Sequence, residues 1–180
     1  MQRTIKNITF VLVTALIMVS CNEGPSLQRY FVDHQETSNF ISVDLPLSMV
    51  DIDKSQFTED QKIAYNSVKR LNFLGYKVKE TDMETYNAEL NKVKTILKHK
   101  KYNDLIEFSD KGTKVVVKYI GTDERADEVV LFGSSKTIGF GIVRILGNDI
   151  DPQKMATLVG TMKDADFDEA QLQGVMDFFK

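Results

Sequence analysis

Four apolar segments with a period of two follow one another in the second half of the chain. They are Leu105 to Phe108, Lys114 to Ile120, Glu128 to Phe132 and Thr137 to Leu146. Such alternation is typical of strands that bury one face. The connections between the segments are short and contain glycine or aspartate, so each strand is expected to turn back beside its predecessor. The sequence therefore predicts a four-stranded antiparallel meander.

Two further strands are predicted before the meander. Ile41, Val43 and Leu45 alternate up to Pro46, which lacks the amide hydrogen that a strand ladder needs and should end the strand. An apolar run at 71–78 surrounds Gly75 and is most simply a second strand. With the meander, these segments predict a sheet of about six strands.

Segments with helical spacing lie between and after these strands. A short helix is expected at 27–34, and a second should run from a capping box at Thr58 and Gln61 to about Arg70. A third should begin at another capping box, Thr81 to Glu84, and a fourth at Asp151. The third helix carries an apolar seam formed by Met83, Tyr86, Leu90, Val93 and Leu97.

These elements predict one α+β domain. We expect a mixed, mostly antiparallel sheet of about six strands with helices packed on one face. Gly139 and Gly141 resemble part of a phosphate loop, but Arg144 occupies the third glycine position and no strand-to-helix junction lies there. A bulge or a close backbone approach is the expected role of these glycines.

The N-terminal segment predicts export and lipid attachment. Arg3 and Lys6 precede an apolar run at 8–19, which is too short to span a bilayer but suits a secretory signal. Cys21, the only cysteine, follows Ser20 at the end of this run. This arrangement resembles the lipobox of bacterial lipoproteins, whose cysteine is diacylated and becomes the mature N-terminus. We therefore predict a lipoprotein signal peptide at 1–20, a lipidated Cys21 with a tether at 21–26, and a domain at 27–180.

Two alternatives to lipidation stay open. An ordinary secretory signal would release a soluble protein, although the residues before Cys21 fit an A-x-A cleavage pattern poorly. An uncleaved anchor helix is disfavoured by the length of the run and by the break at Gly24 and Pro25. Met18 departs from the lipobox pattern, since leucine is usual at that position.

The charge balance excludes one class of partner. Loss of Arg3 and Lys6 with the signal takes the net charge from −3 to −5. An acidic chain without a basic stripe gives no electrostatic basis for binding nucleic acid. The run from Lys98 to Lys101 is expected to stabilise the end of the third helix, because cations interact favourably with exposed carbonyl groups there. Contact with anionic lipid head groups is the functional alternative.

The chain lacks recognisable catalytic or metal-binding motifs. It has two histidines and no thiol besides Cys21, and no spacing pairs a nucleophile with a base. His34 lies on the apolar side of the first helix and is expected to be a packing or surface residue, not a ligand. Asp164, Asp166 and Asp168 alternate as in a calcium loop, but Val175 stands where a bidentate glutamate is needed. We predict no enzyme, metal or cofactor, with a carboxylate-based hydrolase as the residual alternative.

The order of these features resembles a family of small uncharacterised lipoproteins from Gram-negative bacteria of the Bacteroidota type. The features are the lipobox, the alternation of strands and capped helices, the lysine-rich join before Tyr102, the meander and the segment Gly147 to Asp151. The resemblance implies an envelope lipoprotein, with a link to envelope-stress regulation through sigma and anti-sigma factor genes. It implies no catalytic residues.

Two functions follow as expectations. The first is a non-catalytic envelope lipoprotein that contacts an unidentified envelope protein. The second is a periplasmic carrier that holds a small apolar ligand or lipid between the helical layer and the sheet. Asn22 after the cysteine favours the outer membrane by the enterobacterial sorting rule. A single nearby acid, Glu23, poorly matches a surface-export signal, so the domain is expected to face the periplasm.

Overall fold

The computed structural model describes residues 25–47, 54–110, 113–162 and 177–179. Four longer helices and six strands lie in this part of the chain, together with a 3-10 turn at Glu80–Asp82 and a helical stretch at 177–179. In chain order they are α1 (Leu27–His34), β1 (Phe40–Pro46), α2 (Glu59–Ser67), β2 (Val68–Lys77), α3 (Met83–Leu97), β3 (Asn103–Asp110), β4 (Thr113–Gly121), β5 (Ala126–Ser135), β6 (Gly139–Ile150) and α4 (Pro152–Met162).

The six strands form one antiparallel sheet in the order β1-β2-β6-β5-β4-β3. The predicted meander from β3 to β6 and the predicted single α+β domain are confirmed. Strand β2 pairs with β1 on one side and with β6 on the other, and so joins β1 to the meander. The ladder between β2 and β6 extends from Val68 opposite Gly147 to Lys77 opposite Gly139. Strands β1 and β3 form the two edges, and β3 has a bulge between Asp104 and Ile106.

The expectation that helices cover one face is wrong, because helices pack on both faces. One core cluster joins α1 and α3 to strand residues such as Leu74 and Ile142. A second cluster joins α2 and α4 to strand residues of the opposite parity, such as Val129 and Ile145. Successive side chains of a strand point to opposite faces, so the clusters lie on opposite sides of the sheet. The period-two pattern indicated that one face of each strand is buried. It did not show that much of the other face is apolar as well.

Aromatic rings fill the space between α3 and the sheet. The rings of Tyr76 and Phe140 are stacked, with centroids 5.3 Å apart and an interplanar angle of 9°. Tyr86 of α3 lies 6.1 Å from Tyr76 and 6.3 Å from Phe140, measured between ring centroids. All three side chains are no more than 2% exposed. The interior on this side is therefore closed by packed rings.

The predicted seam of α3 is confirmed in its middle and end and wrong at its start. Tyr86, Val93 and Leu97 are buried, and Leu90 is half-buried against the same cluster. Met83 is 39% exposed, because it lies in the first turn of the helix.

Two predicted helix boundaries also change. The capping box of Thr58 and Gln61 is present, but α2 ends at Ser67 because β2 begins at the next residue. Ile63 of α2 is 49% exposed. The cap of α3 is Asp82, which accepts a hydrogen bond from the backbone of Thr85, so the predicted box at Thr81 does not form.

Gly139 confirms the prediction of a close backbone approach. Its φ is +130°, and a Cβ atom there would lie 1.9 Å from the carbonyl oxygen of Tyr76. Gly141 forms part of a row that the sequence did not predict, in which it lies opposite Gly75 on one side and Gly133 on the other. The rings of Phe73 and Phe179 pack where a Cβ of Gly75 would project. Because the glycines have no side chains, this row leaves space for aromatic rings on the α2–α4 side of the sheet.

Replacement of Gly139 by alanine should destabilise the domain. Strain at a positive φ costs about 1–3 kcal/mol, and the close contact with Tyr76 adds to it. Gly160→Ala is the matched control, since nothing in the described part of the chain lies within 4 Å of the added Cβ. It should instead gain about 0.5–1 kcal/mol, because glycine weakens a helix relative to alanine. Denaturant unfolding of both variants measures this, and equal stability would contradict the assignment.

Candidate functional site

Cys21, the predicted lipidation site, lies outside the described residues, and so do Asp164, Asp166 and Asp168. The described chain begins at Pro25, and its path into the domain is defined by one buried contact. The backbone N–H of Leu27 donates to the hydroxyl of Tyr102 over 3.1 Å. Tyr102 directly follows the lysine-rich run, so the start of the domain contacts the residue after that run.

A polar cluster centred on Glu89 joins α1 to α3. The hydroxyl of Tyr30 donates to Glu89 Oε2 over 2.8 Å, and His34 Nε2 lies 3.3 Å from the same oxygen. Lys92 Nζ lies 2.6 Å from the other oxygen, Oε1. His34 Nδ1 is 2.7 Å from the carbonyl oxygen of Tyr30. The carboxylate thus has partners on both oxygens, and His34 packs within the domain as predicted.

The surroundings of Glu89 favour its ionised form. Burial by itself raises the pKa of this carboxyl, but hydrogen bonds from Lys92 and Tyr30 and the nearby charges outweigh burial and lower the pKa. The pKa of Tyr30 is raised, first by burial and then by its hydrogen bond to Glu89. Tyr30 therefore keeps its proton and remains a donor to the carboxylate.

A groove of about 530 Å³ lies beside this cluster, between α1 and α3. Charged groups of both signs line it, including Arg29, Asp33 and Lys92. Pro25 and Ser26 form one end of its lining, so the groove adjoins the start of the domain. Ile96 adds apolar surface. The groove is open, and most of its exposed lining surface is apolar.

A second charged pair lies on the same side of the sheet. Arg144 on β6 holds Glu128 on β5 through two hydrogen bonds of 2.7 Å, and the two side chains are only 12% and 10% exposed. Burial lowers the pKa of Arg144, but the hydrogen bonds and the charge of Glu128 outweigh burial and raise it. The guanidinium lies 5.4 Å from the centre of the Phe31 ring. Phe31 on α1 thus covers the pair.

The polar row continues towards the edge of the sheet. Asn72 on β2 lies opposite Arg144 and donates to Asp44 on β1. Asp44, Asn72, Arg144 and Glu128 therefore cross four neighbouring strands beneath α1. This row was not predicted from the sequence, although Arg144 follows Ile142 and Glu128 precedes Val130 at the spacing of one strand face.

These polar groups are already paired within the domain. In the described ranges, every buried side-chain nitrogen or oxygen atom has a hydrogen-bond partner. Nor do the described residues contain a group of three or more histidine, cysteine or acidic side chains that could hold a metal ion. The helices of that part of the chain include none that is long and apolar enough to cross a membrane. The Glu89 cluster thus joins α1 to α3, and the Arg144 pair lies against Phe31 of α1.

A second groove, of about 250 Å³, lies between the end of α3 and strands β3 and β4. Lys114 pairs with Glu107 over 2.6 Å and Lys118 pairs with Asp104 over 2.5 Å. Lys94 and Lys98 also line this groove.

The comparisons with known proteins identify a family and no function. A family model described as a domain of unknown function, DUF4252, matches residues 30–158. The match includes every strand of the sheet and most of α4. No curated protein and no solved structure matches the chain.

The Glu89 cluster predicts a specific pH dependence of stability. The pKa of Glu89 is lowered on folding, so its stabilising contribution is complete above the ordinary value of 4.5 and is lost as the pH falls through the folded value. Glu89→Gln should cost about 1.5–3 kcal/mol near neutral pH, the range for hydrogen bonds to a charged group. The difference from the wild type should shrink below about pH 4.5.

Chemical denaturation of both proteins across this pH range measures the difference. Glu84→Gln removes an exposed carboxylate from the same helix and serves as the control. A difference between wild type and Glu89→Gln that stayed constant with pH would show that the carboxylate is not held in its charged form.

Proposed function

The chain belongs to the DUF4252 family, and on this premise we propose that it is a non-catalytic lipoprotein of the cell envelope that acts through protein contact. The proposal takes Cys21 as the lipidated N-terminus and the outer membrane, facing the periplasm, as its location. The resemblance to lipoproteins of the Bacteroidota type adds a role in envelope-stress signalling. The protein partner is another component of the envelope.

The groove between α1 and α3 is the observation that carries the proposal of protein contact. The groove is open and is lined by Arg29, Asp33 and Lys92. Val32, which lies on α1 outside the groove lining, is 62% exposed. A partner segment with charged and apolar side chains could pair with both kinds of surface. Interfaces of this kind combine an apolar centre with a polar rim.

Packing on the α1–α3 side weighs against the alternative of a carrier. A carrier would hold its ligand between the helical layer and the sheet, where Tyr76, Tyr86 and Phe140 pack against one another. An apolar ligand in the open groove would remove water from Arg29 and Asp33 without replacing their hydrogen bonds. Protein contact is therefore the better-supported function.

Membrane attachment should depend on the sulfur atom of Cys21. Each buried methylene of an acyl chain contributes about 0.8 kcal/mol, so a diacylated cysteine anchors the protein stably. In cells fed an alkyne fatty acid, Cys21→Ser should abolish labelling of the protein, whereas the neighbouring change Asn22→Gln should leave it intact. Wild-type protein that carries no label would refute lipidation.

Contact through the groove can be tested by photo-crosslinking in cells. A photoreactive amino acid at Asn91, an exposed residue that lines the groove, should give a discrete protein adduct. The same amino acid at Gln153, exposed on α4, is the matched control and should not give this adduct. Arg29→Glu should reduce the Asn91 adduct, because it reverses a charge in the groove. The same adduct from both positions, or none from Asn91, would contradict the proposal.

A further inference from the structure

We infer that the lysines around the end of α3 form a membrane-facing surface that contacts anionic lipid head groups. The lysine surface consists of Lys94, Lys98, Lys100 and Lys101. This inference deepens the proposed function, because it assigns the part of an anchored domain that meets the lipid.

The first observation is the position at which the chain enters the domain. Leu27 is fixed to Tyr102 by a 3.1 Å hydrogen bond, and Tyr102 is the residue after Lys101. Pro25 and Ser26 share a groove with Thr95 and Ile96, in the last turns of α3. An anchored chain therefore enters the fold at the end of α3 that carries the lysine surface, on the side of the helix that holds Lys92 and Thr95.

The tether limits how far this surface can move from the bilayer. From Cys21 to Leu27, a fully extended chain reaches about 20 Å at most. Debye screening at physiological salt acts over about 8 Å, so a domain on so short a tether repeatedly comes within range of the surface potential. Attraction of anionic lipids to nearby lysines is then able to orient the domain.

The second observation is that the lysine surface has no salt bridge within the described part of the chain. Neighbouring lysines are paired, as in Lys92 with Glu89, Lys114 with Glu107 and Lys118 with Asp104. By contrast, no member of the lysine surface forms a salt bridge with another described residue. The sequence from Leu90 to Asn103 contains no acidic residue. An acidic protein thus concentrates positive charge at the C-terminal end of α3.

Two carbonyl groups in the last turn of α3 are capped by backbone N–H groups and need no lysine side chain. The carbonyl of Lys94 accepts from the backbone N–H of Lys98, and that of Ile96 accepts from His99. Lys94, Lys98 and Lys100 are exposed, while Lys101 lies half-buried with its Nζ 5.4 Å from the centre of the Tyr102 ring. The ammonium groups therefore remain accessible to a negatively charged surface.

The test uses the full chain reconstituted in nanodiscs of phosphatidylcholine alone or of equimolar phosphatidylcholine and phosphatidylglycerol. Amine-reactive labelling followed by mass spectrometry reports the accessibility of each lysine. Phosphatidylglycerol should slow labelling of the lysine surface about fivefold, the factor that corresponds to the contribution of one lysine near a charged membrane. The control is Lys136, which is exposed in the turn after Ser135. The carbonyl of Ser135 accepts a hydrogen bond from Tyr86, near the other end of α3, so Lys136 lies far from the lysine surface and its labelling should not change. High salt should remove the protection.

A matched pair of variants distinguishes the effect of the lysine surface on labelling from the effect of the net charge of the protein. In the triple variant Lys98→Gln, Lys100→Gln and Lys101→Gln, protection of Lys94 should be lost. The control triple variant Lys62→Gln, Lys69→Gln and Lys136→Gln removes the same charge from exposed positions elsewhere and should keep it. Thermal unfolding of both variants checks that the fold is retained.

Three outcomes would overturn the inference. They are equal labelling on both lipids, loss of Lys94 protection in the control variant, and the same protection on phosphatidylcholine discs when inorganic phosphate is added. The intact mass of the same sample reports acylation of Cys21. Acylation without protection defeats the inference alone, whereas protection without acylation defeats the lipid anchor alone.

Discussion

The pairing of β2 with β6 is the constraint on which the rest of the fold depends. Strand β6 ends a meander formed by neighbours in sequence, while β2 belongs to an earlier unit, so this ladder is the long-range contact that makes one sheet. Gly139 and Gly147 lie at its two ends, where a Cβ atom would come within about 2 Å of a carbonyl oxygen of Tyr76 or Ser67. Small residues at these positions allow the two units to approach. The entropy lost in loop closure precedes the stabilisation that such contacts give, so formation of the β2–β6 ladder is expected to be slow in folding.

Helix α1 is held to the sheet by polar groups as well as by apolar packing. Tyr30 binds Glu89 of α3, and Phe31 covers the guanidinium of Arg144. Buried charges are costly unless they are paired, and removal of one partner leaves the other uncompensated. Displacement of α1 would remove Tyr30 and His34 from Glu89 Oε2, and this cost restricts α1 to one position relative to α3. The groove beside α1 has a defined shape for the same reason.

The sequence predicted the elements of the fold better than their arrangement. The meander, the strand that ends at Pro46 and the cap at Thr58 follow from local patterns, and local patterns were sufficient for them. Helices on both faces were missed, since period two cannot tell which helix covers which side. Glu89 could have been noticed, because it lies three residues after Tyr86 on the buried side of α3. Its partner Tyr30 is distant in sequence, and only the folded chain brings them together.

The edges of the sheet limit how a partner can bind. Exposed edge strands can recruit a further strand through their free backbone groups, and proteins suppress this with proline, charge or bulges. Here β1 ends at Pro46, while β3 carries the acidic side chains Asp104 and Glu107 and is interrupted by a bulge. Extension of the sheet by a second chain is therefore disfavoured at both edges. Recognition should therefore depend on side chains of the helices and grooves. Affinity for a partner should then vary with the sequence of the partner, since an extended backbone alone would gain no strand pairing.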